Sequence, residues 1–265
     1  MAAAAAAAYR PSPEPEDPQP SGMPFLEHLE ELRRRIIRAV AAIGVGIAAA
    51  FLFIGRLSDF MLAPARRALP PGVHLVFTQP GEAFGFDIDV ALIGGIVLAS
   101  PFVTYQVWRF IAPGLYAHEK RLAIPFVALS TAGVVGGALF NHYVMFPSMI
   151  AFFGMFHSPD LIFMPRLDDV FGLYQKMFAG MVIAFQTPTL VLFLAKMRLA
   201  TARFLWRNIK YAILIIFVLA AVLTPSTDPW NQTLFAIPMI GLYVVSIGIA
   251  WLAAPRESSG GRSSG

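Results

Sequence analysis

Residues 88–108 read IDVALIGGIVLASPFVTYQVW, an apolar run whose one formal charge, Asp89, lies at its start. A helix crossing a bilayer core about 30 Å thick needs roughly 20 residues at 1.5 Å rise each, and this run supplies them. Five further apolar stretches surround it, at 36–54, 122–153, 170–195, 209–223 and 233–252. Four of the six reach spanning length. The last two sit at or below its lower limit and close together, which predicts a short hairpin or a locally thinned bilayer. Hydrophobic residues make up 57% of the chain, charged residues 14%, and mean hydropathy is +0.65. Such an excess is more than a soluble 265-residue chain needs for its core. The expected fold is therefore an all-α membrane protein with six transmembrane helices.

Lysine and arginine fix the orientation, because short cytoplasmic loops hold them in excess. Arg10, Arg33, Arg34 and Arg35 precede the first stretch, and Arg109, Lys120 and Arg121 join the second to the third. Lys196, Arg198, Arg203, Arg207 and Lys210 join the fourth to the fifth, and Arg256 and Arg262 end the chain. The opposite side has Arg56, Arg66, Arg67 and Arg166. Both termini are thus expected in the cytoplasm. The net charge of +4 reflects this asymmetry rather than a nucleic-acid partner.

Three regions follow from composition. Residues 1–22, rich in alanine and proline, are expected to form a disordered cytoplasmic extension with no cleavable signal peptide. Residues 23–254 form the six-span membrane domain, and 255–265 a disordered cytoplasmic tail. Cysteine is absent, which excludes disulfides and thiolate chemistry. No phosphate-cradling, zinc-binding or nucleophile-elbow motif occurs, so no catalytic residue, metal or cofactor is expected. The five histidines, His28, His74, His118, His142 and His157, lie scattered and are expected at surfaces or interfaces.

Two cytoplasmic segments carry the chemistry. In MPFLEHLEELRRRIIRAV, Phe25, Leu29, Leu32 and Ile36 recur on one helical stripe ahead of the first span. Glu30–Arg34 and Glu31–Arg35 are i,i+4 pairs in the favoured order, so the acids either brace the helix or offer carboxylates to a basic ligand. In YQVWRFIAPGLYAHEKR, Pro113-Gly114 break the helix before Glu119. The aromatic residues Tyr105, Trp108, Phe110 and Tyr116 fit an interfacial belt equally well.

HLEELRRRI at 28–36, SPFVTYQVWRFIAPGLYAHEKR at 100–121, FPSMIAFF at 146–153 and LTPSTDPWNQTLFAIPM at 223–239 together resemble the TatC family. That family is the multispanning core of the twin-arginine protein translocase. The resemblance runs from about Met23 to Leu252 and implies a receptor for signal peptides bearing an Arg-Arg pair. It also implies TatA- and TatB-type single-span partners, further TatC copies, contact with membrane lipids, and export of folded cargo across the inner membrane by the proton-motive force. By the same resemblance, Glu31, Arg33, Phe110, Pro113, Leu115, Tyr116 and Glu119 bind the signal peptide. Pro64 and Asp228 match structural or partner-related positions. Gln186 stands where many members have glutamate, which keeps hydrogen bonding but removes a titratable proton.

Two adjacent guanidinium groups call for two carboxylates, since each planar fork of donors matches one of them. Each such pair contributes about 1–3 kcal/mol near an interface. Within the spans, Lys176 is expected to snorkel, and Gln186 either joins helices or serves signal-peptide insertion. Pro101, Pro125, Pro147, Pro188 and Pro238 predict kinked helices arranged as a concave, cupped bundle. GGIVLAS and GVVGGA are expected to be packing surfaces. The rival from another class, a secondary transporter for a small solute, would need repeat-related broken helices and midplane acids; neither is visible.

Overall fold

The computed structural model describes residues 25–69, 72–111, 123–156, 164–224 and 228–253. These residues are helical throughout apart from turns and one isolated parallel bridge between Val76 and Arg166.

Helix α1 (Phe25–Phe51) carries the charged entry segment into the first apolar stretch without a break. A two-residue turn then bends the chain by 88° into α2 (Ile54–Ala68). The sequence reading treats this second segment as a loop. It is an amphipathic helix: Met61, Pro64 and Ala65 are buried, while Arg56, Asp59, Arg66 and Arg67 are exposed. Pro64 is accommodated inside it, and Arg66 and Arg67 in the last turn suit the helix dipole.

Helix α3 (Glu82–Ile111) spans 30 residues and includes Pro101. Helix α4 (Ala123–Phe140) runs through a π-helical turn, Asn141–Met145, into α5 (Phe146–Gly154), so the longest apolar stretch forms one helical path. Pro147 lies two residues beyond the π turn and has no N–H to continue the ordinary ladder. Helix α6 (Leu167–Ala184) and α7 (Thr187–Lys196) are separated at Phe185 and Gln186, where Pro188 removes a donor from the first turn of α7. Then follow α8 (Ala202–Arg207), α9 (Ile209–Leu223) and α10 (Pro229–Ala253).

Four of these paths are long and apolar enough to cross a membrane: Glu82–Ile111, Ala123–Gly154, Leu167–Lys196 and Pro229–Leu252. The bent pair α1 and α2 passes the same test only when taken together, which makes five. Helix α9, at 15 residues, covers only about 22 Å. The sixth stretch is longer than its apolar run suggests, because Pro229 opens the helix ahead of the polar residues Asn231 and Gln232. Between 28% and 44% of the apolar windows is buried, so more than half of each window keeps some exposed surface, as lipid-facing helices do.

Glycine sets how closely helices approach. A Cβ at Gly46 would lie 2.5 Å from the Gly95 carbonyl oxygen, and one at Gly95 would lie 2.6 Å from the Ile47 nitrogen. Helices α1 and α3 therefore touch backbone to backbone. On α4, a Cβ at Gly137 would meet the Met181 carbonyl oxygen of α6 at 2.9 Å. Both glycine strings serve as the expected packing surfaces. The main core lies between α2, α3, α5, α6, α9 and α10, around Val90, Phe146, Met149, Tyr174, Met177 and Phe235.

Candidate functional site

Glu31 sits two turns into α1, and its Oε1 accepts a hydrogen bond from Arg35 Nη2 at 2.6 Å. This is the expected i,i+4 pair, partly shielded, with 24% of the Glu31 side chain and 11% of the Arg35 side chain exposed. Arg35 reaches further than its own helix. Its Nη1 donates to Oε1 of Gln106 on α3 at 3.1 Å, and Gln106 is buried. Glu30 and Arg34 form the parallel pair one residue earlier, fully at the surface. Arg33 is exposed on the opposite side of the same turn. Glu27, Glu30, Glu31, Arg34, Arg35 and Arg38 line a polar groove of about 320 Å³.

The second segment meets the first through an aromatic contact. His28 on α1 stacks on Phe110 at the end of α3, with ring centroids 4.6 Å apart and planes 19° from parallel. Phe110 is half-buried beneath it. Trp108 points the other way, buried against Phe126 at 4.9 Å, so it belongs to the interior and not to an interfacial belt. Tyr105 is exposed under the Arg109 guanidinium at 5.9 Å, as a belt residue would be. Pro113, Leu115, Tyr116 and Glu119 lie outside the described residues.

Away from this face, Gln186 occupies the break between α6 and α7. Its Oε1 accepts from Ser130 Oγ at 2.7 Å, and its Nε2 donates to the Ser130 carbonyl at 3.1 Å. The amide thus joins α7 to α4 at two points, beside Gly133, where a Cβ would press on Phe185. Of the two roles left open by the sequence, joining helices is the one with visible partners. Asp228 caps α10, accepting from the Asn231 backbone N–H and from Asn231 Nδ2, both at 2.8 Å. Lys176 is exposed on α6.

Sequence reasoning missed three features. His142 is buried and lies flat against Phe60 at 4.0 Å, not at a surface. It belongs to the π turn, and α2, the unexpected helix, supplies its cover. At the far end of the molecule, Arg166 Nη2 donates to Glu82 Oε1 at 2.6 Å, while Thr78 donates from its backbone and hydroxyl to the same carboxylate. That carboxylate holds the Arg166 guanidinium above its ordinary pKa. The third is Gln106, whose only signal is an amide set in an apolar run. Among the described residues, no three His, Cys, Asp or Glu side chains converge as metal ligands do.

A family model described as "Sec-independent protein translocase protein (TatC)" matches residues 27–238. The chain is 42% identical over 239 residues to the Sec-independent protein translocase protein TatC of Koribacter versatilis, covering 89% of this chain and 88% of that protein. With its counterpart from Desulforapulum autotrophicum the identity is 40%, covering 84% and 83%. Among solved structures, the twin-arginine translocase receptor TatC superposes with a TM-score of 0.72 at 35% identity, over 85% of this chain and 99% of that one. A second crystal structure of that receptor, in DDM, gives 0.74 at 34% identity, over 84% and 99%.

Proposed function

The chain belongs to the TatC family of Sec-independent protein translocase proteins, and from that premise we propose how its own residues receive a substrate. It is a multispanning membrane component of protein transport. Its cytoplasmic face binds the Arg-Arg pair of a signal peptide, with Glu31 and Glu119 each taking one guanidinium. Arg33, Phe110, Pro113, Leu115 and Tyr116 complete that face. The apolar part of the peptide lies along the spans, and the folded cargo stays in the cytoplasm until TatA- and TatB-type partners and further copies of the chain assemble. The proton-motive force drives export. Six spans cross the inner membrane with both termini cytoplasmic, cupped around the insertion path, and α9 thins the bilayer locally. Pro64 shapes the cap that α2 forms on the outer side, and Asp228 holds the start of α10 there. No catalytic step occurs on this chain.

The observation that carries the reading is the His28–Phe110 stack. It joins the segment bearing Glu31 to the end of α3, from which the sequence continues to Glu119, and one short peptide reaching both acids is part of this proposal. A fork of donors matched to each carboxylate then gives arginine an advantage over lysine.

The experiment measures affinity of a synthetic twin-arginine peptide for wild type, Glu31→Gln, Glu119→Gln and the double variant at fixed salt. Each single variant should bind at least about tenfold more weakly, the loss of one charge-assisted pair, with normal protein level and insertion. Unchanged affinity in both would overturn the assignment of the two acids. Lys at either position should be worse than Gln, because like charges then meet.

A further inference from the structure

Glu31 does not stand open in this structure. One of its oxygens is held by Arg35 at 2.6 Å, and Arg35 is itself largely buried, so an arriving guanidinium meets a resident one. Arg35 also has a second hold, the side-chain oxygen of Gln106 at 3.1 Å, on a different helix and 71 residues away in sequence. Its third nitrogen, Nε, is buried without a hydrogen-bond partner among the described residues. A guanidinium with a buried orphan donor is not optimally housed, and its position is dictated by the two acceptors at its tip.

The two acceptors differ in strength. A carboxylate takes a charge-assisted hydrogen bond roughly twice as strong as a neutral amide does. Arg35 therefore favours Glu31 when no peptide is present, and Gln106 keeps it from being stranded when Glu31 is taken. Were residue 106 an acid, it would hold Arg35 permanently; were it apolar, release would leave a buried charge unpaired, which is costly. An amide is the intermediate that keeps hold of the cation after Glu31 has let go.

We propose that Arg35 is a resident competitor for Glu31, released from it and retained by Gln106 alone when a signal-peptide arginine binds. This rests on the assignment of Glu31 to the peptide made above. Between substrates the acid stays paired, so a stray single cation on another protein gains little from it. A true signal peptide overcomes the competition because its second arginine engages a second acid at the same time. Arg35 thus acts on specificity without itself contacting the substrate, and Gln106 is a positioning residue that acts through Arg35.

Bracing and competition predict opposite signs. If Arg35 only orients Glu31, then Arg35→Gln weakens peptide binding. If it competes, the same substitution tightens binding by about three- to tenfold, the weight of one partly exposed charged pair. Gln106→Leu should weaken binding, because the displaced guanidinium loses its acceptor. The measurement is binding of a labelled twin-arginine peptide to the full chain in lipid nanodiscs, for Arg35→Gln, Gln106→Leu, Glu31→Gln and the Glu31→Gln/Arg35→Gln pair. The gain from Arg35→Gln should vanish when Glu31 is already glutamine. Should Arg35→Gln fail to accumulate, Arg35→Lys carries the test: it keeps the charge, loses the fork, and should shift affinity in the same direction by less. Equal or weaker binding in both Arg35 variants overturns the competitor while leaving Glu31 assigned. Unchanged binding in Glu31→Gln overturns the underlying assignment instead.

Discussion

His28 lies flat on Phe110, and with the Arg35–Gln106 hydrogen bond this contact ties the charged end of α1 to the end of α3. Stacked aromatic pairs contribute about 0.5–1.5 kcal/mol beyond the area they bury. Phe110→Ala should therefore let the two segments separate and weaken peptide binding by roughly two- to tenfold. Phe110→Tyr, which keeps the ring, should stay near wild type. Peptide titration distinguishes them, and equal losses in both variants would count against the stack as the operative contact.

Close approach at Gly46 and Gly95 leaves no room for a side chain. Gly46→Val or Gly95→Val should force α1 off α3 and cost about 1–3 kcal/mol or more. Gly44→Ala, on the same helix with open space around it, should be tolerated. Thermal unfolding in a fixed detergent reads the contrast; a Gly44→Ala defect as large as the Gly46→Val defect would refute the packing explanation.

Gln186 and Ser130 are coupled through two hydrogen bonds, one of them side chain to side chain. Gln186→Leu, Ser130→Ala and the pair of changes form a double-mutant cycle. Interhelical hydrogen bonds in membranes average about 0.6 kcal/mol and reach about 1.7, so a coupling in that range is expected. A coupling of zero would mean that the amide acts elsewhere.

Topology is open to direct chemistry, because the chain has no native cysteine. A cysteine at Asp59 should react with a membrane-impermeant thiol reagent applied from outside, and one at Arg203 should not. Both side chains are exposed, so accessibility within the protein does not confound the result. Labelling of the Arg203 position from outside would overturn the six-span arrangement with cytoplasmic termini.

Four long apolar paths were readable because lipid demands such runs, and the break before Pro188 because proline withholds a donor. Helix α2 was not readable in the same way. Its charges and Pro64 look like a loop, and only the spacing of Leu57, Met61 and Ala65 on one face betrays it. The π turn at Asn141–Met145 has no signature in periodicity, which is why His142 was expected at a surface. At the site, the Glu31–Arg35 spacing announced an ion pair, and the pair exists. Nothing local announces Gln106, since its partner is 71 residues away and only the packing of α1 on α3 brings them together. The contact of His28 with Phe110 was hidden for the same reason.

From Gly46 to Glu31 is fifteen residues along α1, and from Gly95 to Phe110 is fifteen along α3. At 1.5 Å per residue both arms measure about 22 Å from the place where the two backbones touch. The pair is a caliper with equal arms and a pivot that cannot be compressed. A change of about 5° at that pivot would move each tip by about 2 Å, most of a hydrogen-bond length. Substitutions at the Gly46–Gly95 contact are therefore expected to shift Glu31 relative to Phe110 at the far tips without touching a single residue there.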